Sequence, residues 1–150
     1  MAFPLPEPMQ RALALARAGG EAGEVPVGAV VTSGKDVLAG AGNAMRSGND
    51  PTAHAEMVAI RAAASALGTS RLDGCDIWVT LEPCAMCAAA IALARIRRLY
   101  FAASDPKGGA VLHGPKLYPQ PTCHHRPDVY TGIAEESSAV LLRKFFASRR

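Results

Sequence analysis

The sequence predicts a three-layer α/β domain in which helices cover both faces of a mixed β-sheet. Short runs of β-favouring residues alternate with Ala- and Leu-rich segments of helical length. In the second half, a strand, a helix and another strand follow in a short crossover, which implies parallel pairing of the two strands. The chain has 150 residues, 49% of them apolar, so it can bury one substantial core but is too short for two ordinary domains. We therefore expect one domain over 1–150.

Gly, Asp and Pro residues mark where the elements of the N-terminal half begin and end. Gly19-Gly20 is expected to end a first helix that is entered through Pro8. Ser33-Gly34-Lys35 lies between two β-rich segments, as the turn of a hairpin does. Asp50-Pro51-Thr52 is typical of the cap and first turn of a helix, and Gly68 is typical of its end. The predicted elements are a helix over 9–18, strands over 25–32 and 36–40, and a helix from 50 to about 67.

The C-terminal half is predicted to contain two strands, two helices and one long loop. Pro83 introduces a helix made almost entirely of Ala, Ile, Leu and Met, so most of its sides must be buried. The Gly-, Pro- and His-rich segment 104–127 is expected to be mostly loop, and loops of that length are usually functional or disordered. The predicted elements are strands over 77–81 and 98–102 and helices over 84–95 and 133–148.

The charge of the chain is only weakly positive and by itself identifies no partner. Sixteen basic and thirteen acidic residues leave a net charge of +3. The distribution of charge is therefore more informative than its sum. Four basic residues crowd the C-terminal end without an acid among them: Arg143, Lys144, Arg149 and Arg150.

The expected location of the protein is the cytoplasm, without contact with a membrane. No apolar stretch approaches the roughly 20 residues that a membrane span requires. The N-terminal segment MAFPLPEPMQ lacks the basic start and long apolar region of a secretory signal. In a cytoplasmic chain a CxxC is typical of metal or redox chemistry, so we expect no disulfides.

Two short motifs carry the strongest chemical signal in the chain. They are His54-Ala55-Glu56 and, about 30 residues downstream, Pro83-Cys84-Ala-Met-Cys87. Cys84 and Cys87 are three positions apart on a predicted helix, so both thiolates can reach one metal ion. His54 and Glu56 are two positions apart and do not share a helical face, which predicts separate roles. The combination H-x-E with P-C-x-x-C is the signature of zinc-dependent nucleobase deaminases.

The motifs predict a catalytic zinc centre with one ion per subunit and no organic cofactor. His54, Cys84 and Cys87 would leave a fourth tetrahedral position for water. Two thiolates offset the charge of the ion, so it should acidify water less than a zinc held by three histidines, and a base is needed. Glu56 is expected to take the proton from water, deliver it to a ring nitrogen and pass another to departing ammonia. The net reaction exchanges an exocyclic amine for a carbonyl.

Two other interpretations of the cysteines stay open at this stage. The first is a closed, structural zinc site, in which Glu56 would have no evident role. The second is a redox-active CxxC without metal. A closed site would need a fourth ligand from Cys75, Cys123, His113, His124 or His125.

The sequence resembles the bacterial tRNA-specific adenosine deaminases of the cytidine deaminase superfamily over nearly its whole length. The segments that carry the resemblance are Glu24–Val30, Asn49–Glu56, Thr80–Cys87 and Asp105–Gly109. Asn49–Glu56 and Thr80–Cys87 are also shared with free-base deaminases. Glu24–Val30, Asp105–Gly109 and the basic C-terminal end favour the tRNA enzymes.

The resemblance implies a cytidine-deaminase-like fold and hydrolysis of adenosine to inosine at the wobble position of a tRNA anticodon, by a homodimer. It implies that Asn43 hydrogen-bonds the flipped base or its ribose and that Val27 and Ala55 line the pocket. Backbone near Pro83 and Cys84 would meet the reacting group. The residues that would hold flanking nucleotides, some across the dimer, are Asp105, Lys107, His125, Arg126 and Arg149. The composition of 112–127, with Cys123-His124-His125, departs from the family pattern.

Two further functions compete with this interpretation. The same metal site would serve a deaminase of a free nucleobase or nucleoside of the guanine or cytosine type. A non-catalytic RNA-binding protein with a structural zinc is the alternative from another class. Activity on small substrates without RNA would favour the first, and a fourth protein ligand on the metal would favour the second.

Overall fold

A computed structural model describes residues 4–149. This part of the chain forms four helices and five strands, with one five-stranded sheet in the order β2-β1-β3-β4-β5. Strand β1 is antiparallel to β2 and β3, whereas β3, β4 and β5 are parallel. The elements are α1 (Glu7–Glu21), β1 (Gly28–Ser33), β2 (Asp36–Gly42), α2 (Ala55–Leu67), β3 (Asp76–Leu81), α3 (Ala85–Leu93), β4 (Arg98–Ala103), β5 (Asp128–Thr131) and α4 (Glu135–Ala147).

The sheet separates two apolar layers because successive strand side chains point to opposite faces. Val31 and Phe101 belong to the larger core, together with residues of α2 and α3. Their neighbours Val30 and Ala102 belong to the smaller core, with Met9 and other residues of α1. Helices therefore cover both faces of a mixed sheet, and the predicted three-layer α/β class is confirmed.

Segments that are far apart in sequence meet at one edge of the sheet. This edge carries the carboxyl ends of the parallel strands β3 and β4. The start of β1 lies at the same edge, because Ala29 pairs with Val79 in the antiparallel register. The end of β2 joins it, because Gly42 pairs with Gly28. In open α/β sheets, ligands bind outside the carboxyl ends of the strands, so a site is expected at this edge.

The predicted boundaries of α1 and the predicted start of α2 were wrong, whereas α2 ends at Leu67 before Gly68, as expected. Helix α1 continues through Gly19-Gly20 to Glu21 and ends where Gly23 adopts a left-handed conformation with φ of 94°. Helix α2 starts at Ala55, with His54 as its N-cap. The Asp50 carboxylate instead accepts hydrogen bonds from the Thr52 N–H and hydroxyl groups, at 2.8 and 2.7 Å. That local turn uses up the side chain that was expected to cap the helix.

The remaining differences concern the ends of elements and one strand without a prediction. Strand β1 begins at Gly28, three residues later than expected, and β2 continues to Gly42. Helix α3 ends at Leu93, because Arg95 turns the chain in a left-handed conformation with φ of 64°. Strand β5 is short and pairs with β4 alone, which explains why no sequence pattern marked it. Among residues 4–149, no helix combines the length and apolar character needed to cross a bilayer.

Candidate active site

Three of the predicted residues converge at this edge of the sheet in the arrangement that a metal ion requires. The Nδ1 atom of His54 lies 3.5 Å from the Cys84 sulfur and 3.6 Å from the Cys87 sulfur. Zinc bonds of roughly 2.05 Å to nitrogen and 2.3 Å to sulfur, opened at the tetrahedral angle, separate the two ligand atoms by about 3.6 Å. The side chains therefore already stand at the spacing that one tetrahedral zinc ion imposes.

Helix N-termini position these ligands. His54 is the N-cap of α2, Cys84 is the N-cap of α3, and Cys87 lies in the first turn of α3. A hydrogen bond from the Cys87 thiol, the helix-start N–H groups and nearby His54 lower the pKa of Cys84 to about 5. The same thiol–thiolate contact, followed by burial, raises the pKa of Cys87. The arrangement thus favours the thiolate form at one sulfur, and the thiolate is the form in which cysteine binds metal.

The closed-site interpretation does not agree with the structure. Within residues 4–149, His54, Cys84 and Cys87 form the metal-binding group without a further His, Cys, Asp or Glu. His113 contacts Glu82 at 2.8 Å, and His125 contacts the Ile96 carbonyl at 2.7 Å. The expected set of three protein ligands is therefore what the fold brings together, which is typical of a catalytic zinc site.

Glu56 lies beside this group and is almost completely buried. It is the second residue of α2, and 4% of its surface is exposed. Burial raises the pKa of Glu56 above its ordinary value, and its neighbours include the Cys84 and Cys87 sulfurs. A carboxylate whose pKa is raised is a stronger base than an ordinary one, which suits it to accept a proton from water during a reaction. The position and environment of Glu56 suit a proton carrier.

A small cleft opens onto these residues. Its volume is about 260 Å³, below the usual range for drug-sized ligands, so it suits one heterocyclic ring system. Five chain segments contribute to its wall, namely those before β1, after β2, at the start of α2, around the end of β3 and after β4. The lining residues are Val25, Val27, Asn43, Met45, His54, Glu56, Leu81, Glu82, Cys84, Asp105 and Gly108.

The structure brings most of the predicted base-binding residues to the cleft. Val27 and Asn43 line it, while Ala55 and Pro83 are buried behind its wall. The Asn43 side chain accepts a hydrogen bond from the Ala55 N–H at 2.8 Å and donates one to the Val25 carbonyl at 3.2 Å. These contacts fix the orientation of the amide and leave one N–H and one lone pair for a ligand.

The residues predicted to hold flanking nucleotides fall into two groups. Asp105 lines the cleft, and Lys107 is exposed in the same turn. The other three do not line it. His125 lies in a groove beside α3, and Arg126 is exposed just before β5. Arg149 stacks over Phe145, 4.5 Å from the ring centre, between α4 and α1.

Two buried carboxylates that sequence reasoning left without a role hold the loops on either side of the cleft. Glu24 accepts backbone hydrogen bonds from Arg46 and Ser47. Glu82 accepts bonds from the loop that follows β4. Burial alone would raise the pKa of Glu82, but the N–H groups it binds, with His113, hold that pKa below its usual value. For Glu82, the signal available in the sequence was a charged residue two positions before Cys84 that directly follows the β-favouring run 77–81.

Comparisons with known proteins agree with this geometry. The cytidine and deoxycytidylate deaminase zinc-binding region matches residues 6–103, which contain both motifs. A tRNA-specific adenosine deaminase of Agrobacterium fabrum is 58% identical over 142 residues, covering 95% of this chain and 93% of the relative.

Two solved structures share the fold. One, from a study of A-to-I editing by tRNA:A34 deaminases at the wobble position, has a TM-score of 0.89 and 58% identity, covering 90% of this chain and 98% of the other. A guanine deaminase of Nitrosomonas europaea has a TM-score of 0.79 and 28% identity, covering 98% and 87%. The chain therefore belongs to the zinc-binding cytidine and deoxycytidylate deaminase family, in the branch formed by the tRNA-specific adenosine deaminases.

Proposed function

We propose that this chain is one zinc-dependent deaminase domain that hydrolyses adenosine to inosine at the wobble position of a tRNA anticodon. The observation that carries the proposal is the buried Glu56 carboxyl beside the His54, Cys84 and Cys87 group at a cleft sized for one base. The relationship to tRNA-specific adenosine deaminases supports the substrate. A tRNA substrate also suits the cytoplasmic location expected from the sequence.

The residues of the chain divide the chemistry between metal binding and proton transfer. His54, Cys84 and Cys87 would hold one zinc ion per subunit, and the bound ion would act as a Lewis acid that makes water more acidic. Glu56 accepts a proton from the attacking water and donates it to a ring nitrogen of adenine. Glu56 then takes the remaining proton from the hydroxyl group that has been added to the ring carbon and passes it to the amine. The bond from that carbon to the amine breaks as the carbonyl forms, so that adenosine and water become inosine and ammonia.

The walls of the cleft hold the base during this exchange. Val27 supplies apolar contact, and Asn43 offers its remaining N–H and lone pair from a fixed orientation. The backbone at Pro83 and Cys84 borders the reacting position. A base in an anticodon loop is already unpaired, so it enters such a cleft at a smaller energetic cost than a base in a duplex.

The test of this function is inosine formation in tRNA transcripts that carry a wobble adenosine. Free adenosine, cytidine and guanine are assayed in parallel, because the fold is shared with a guanine deaminase. We expect inosine at the wobble position and no comparable turnover of the free compounds. Turnover of a free base or nucleoside alone would contradict the proposal and assign the cleft to a small substrate.

The basic C-terminal end is proposed to hold the backbone of the RNA. Arg149 lies in a groove that includes Pro26, whose neighbours Val25 and Val27 line the cleft. Asp105 and Lys107 lie in the turn at the cleft and are proposed to contact nucleotides beside the reacting one.

Arg149→Gln should weaken binding of an anticodon hairpin several-fold and reduce the slope of log affinity against log salt by about 0.7. The reason is that one phosphate contact, with its released counterion, is lost. Fluorescence anisotropy over a salt series measures both quantities. Arg71→Gln is the matched control, because Arg71 is exposed and paired with Asp73 near the amino end of β3, away from the cleft. Equal slopes for the two variants would count against a role of Arg149 in RNA binding.

We further propose that the protein acts as a homodimer through the exposed side of α3. Leu93 is 80% exposed there, next to an apolar groove of about 390 Å³ that includes Ala89 and Ala92. His125 lines this groove. In a dimer it and Arg126 could reach the cleft of the partner, as the resemblance implies. A monomeric mass in sedimentation at the concentrations used for the assay would contradict the proposal.

A further inference from the structure

Glu82 is the most heavily hydrogen-bonded buried acid at the cleft. Its carboxylate side chain is fully buried, and its side-chain partner is the half-exposed His113. One oxygen, Oε1, accepts from the Asp105 N–H at 3.0 Å and contacts the His113 Nδ1 at 2.8 Å. The other oxygen, Oε2, accepts backbone N–H bonds from Val111, Leu112 and His113 at 2.9–3.2 Å. Both ends of the loop 105–113 thus bind one side chain.

The backbone around Glu82 ties the same loop to the metal-binding segment. The Glu82 N–H donates to the Ala103 carbonyl at 2.8 Å, and the Ala110 N–H donates to the Pro83 carbonyl at 2.9 Å. Cys84 follows two residues after Glu82. The loop that carries Asp105 and the chain that carries a metal ligand are therefore linked by one short, buried segment.

The shape of the loop depends on the carboxylate. A Cβ atom at Gly109 would collide with the Glu82 carboxylate and with the Asp105 carbonyl. The Gly109 N–H also donates to that carbonyl, at 2.8 Å. The loop is thus wrapped closely around Glu82, and its path has little freedom while the carboxylate is in place.

We propose that Glu82 is a positioning residue: it sets Asp105 and the loop 105–113 at a defined place over the cleft, and so determines how tightly the RNA around the reacting base is held. This inference rests on the proposed function. Glu82 donates no proton and touches no reacting atom. Its effect reaches the substrate through Asp105, whose Oδ1 also holds the turn by accepting from the Lys107 and Gly108 N–H groups.

Glu82→Gln is the sharpest variant, because it keeps the shape of the side chain. An amide has one acceptor oxygen, so its NH₂ group must face either the Asp105 N–H or the three N–H groups at Oε2. We expect about a tenfold rise in KM for an anticodon hairpin, with kcat changed less than twofold and zinc retained. Glu135→Gln is the matched control, since Glu135 is exposed in the first turn of α4.

A double-mutant cycle shows whether Glu82 acts through Asp105. If it does, the fold increase in KM of the double variant should be clearly smaller than the product of the fold increases of Glu82→Gln and Asp105→Ala. The proposal would be overturned if the two fold increases in KM multiply in the double variant. It would also be overturned if Glu82→Gln leaves KM unchanged, or lowers kcat at constant KM. Should Glu82→Gln fail to fold, His113→Ala removes one donor from a half-exposed position and should raise KM in the same direction. An unchanged KM in His113→Ala would then overturn the proposal.

Amide hydrogen exchange separates this inference from the proposed function. In Glu82→Gln the amides of Asp105, Val111, Leu112 and His113 should exchange at least about tenfold faster than in the wild type, whereas Glu135→Gln should leave them unchanged. Unaltered exchange would refute the positioning role even if the enzyme edits RNA. If the wild type forms no inosine, the proposed function fails, and the exchange rates still decide whether Glu82 holds the loop.

Discussion

Glu56→Gln should lower turnover on a wobble-adenosine hairpin by at least about a thousandfold while the protein keeps its zinc. The amide has the shape of the carboxyl group but can neither accept a proton from water nor return one to the leaving amine. Because Glu56 is buried, solvent cannot readily replace it as a proton carrier. Single-turnover inosine formation measures the chemical step, and elemental analysis measures the metal.

Glu135→Gln, a change of the same kind at an exposed position, should retain wild-type turnover. Substantial turnover by Glu56→Gln, with metal content unchanged, would remove Glu56 from the mechanism. Loss of zinc together with loss of turnover would indicate that Glu56 supports the metal ligands instead of moving protons.

Cys87→Ser should abolish activity and lower the thermal stability of the protein. Cys87 is fully buried in the first turn of α3, and a hydroxyl group does not ionise at neutral pH to replace the thiolate. If the zinc affinity falls a hundredfold, the native state loses about 2.7 kcal/mol of stabilisation at zinc concentrations far above the dissociation constants of both proteins. Thermal unfolding with and without a chelator measures this difference.

Cys123→Ser is the matched control for the metal ligand. The Cys123 thiol donates to the His125 carbonyl at 3.2 Å, a bond that a hydroxyl group can also make. This variant should keep zinc, activity and the destabilisation by chelator that the wild type shows. A Cys87→Ser protein that retains one zinc ion and its chelator sensitivity would contradict the assigned ligand set.

The chemistry of the site could be predicted from the sequence because it depends on local spacing. Cys84 and Cys87 stand three positions apart at a helix start, a distance that places both sulfurs near one ion in any α-helix. Separate roles are predicted for His54 and Glu56 because two positions turn a helix by more than half a circle. The layers of the sheet were likewise predictable, because short β-favouring runs alternate with Ala- and Leu-rich segments of helical length.

The helix and strand boundaries were less predictable because local signals compete. Asp50 satisfies a turn with Thr52 instead of capping α2, and Gly23 instead of Gly19 ends α1. An aspartate can either cap a helix or close a turn, and either glycine can end a helix. The surrounding structure selects between them, since α2 must begin where His54 meets the cysteines of α3.

By itself, the sequence determined the fold class and the family and predicted the metal-binding and proton-carrying residues, because all of these depend on residue types at short, regular spacing. Only the tertiary structure decided that Glu82 binds a loop some 30 positions away. It also decided that the backbone of Ala55 and Val25 orients Asn43. The position of His125 outside the cleft of its own subunit likewise emerged only from the tertiary structure. The physical reason is that contacts between distant segments depend on the register and packing of the whole sheet, which no short stretch of residues encodes.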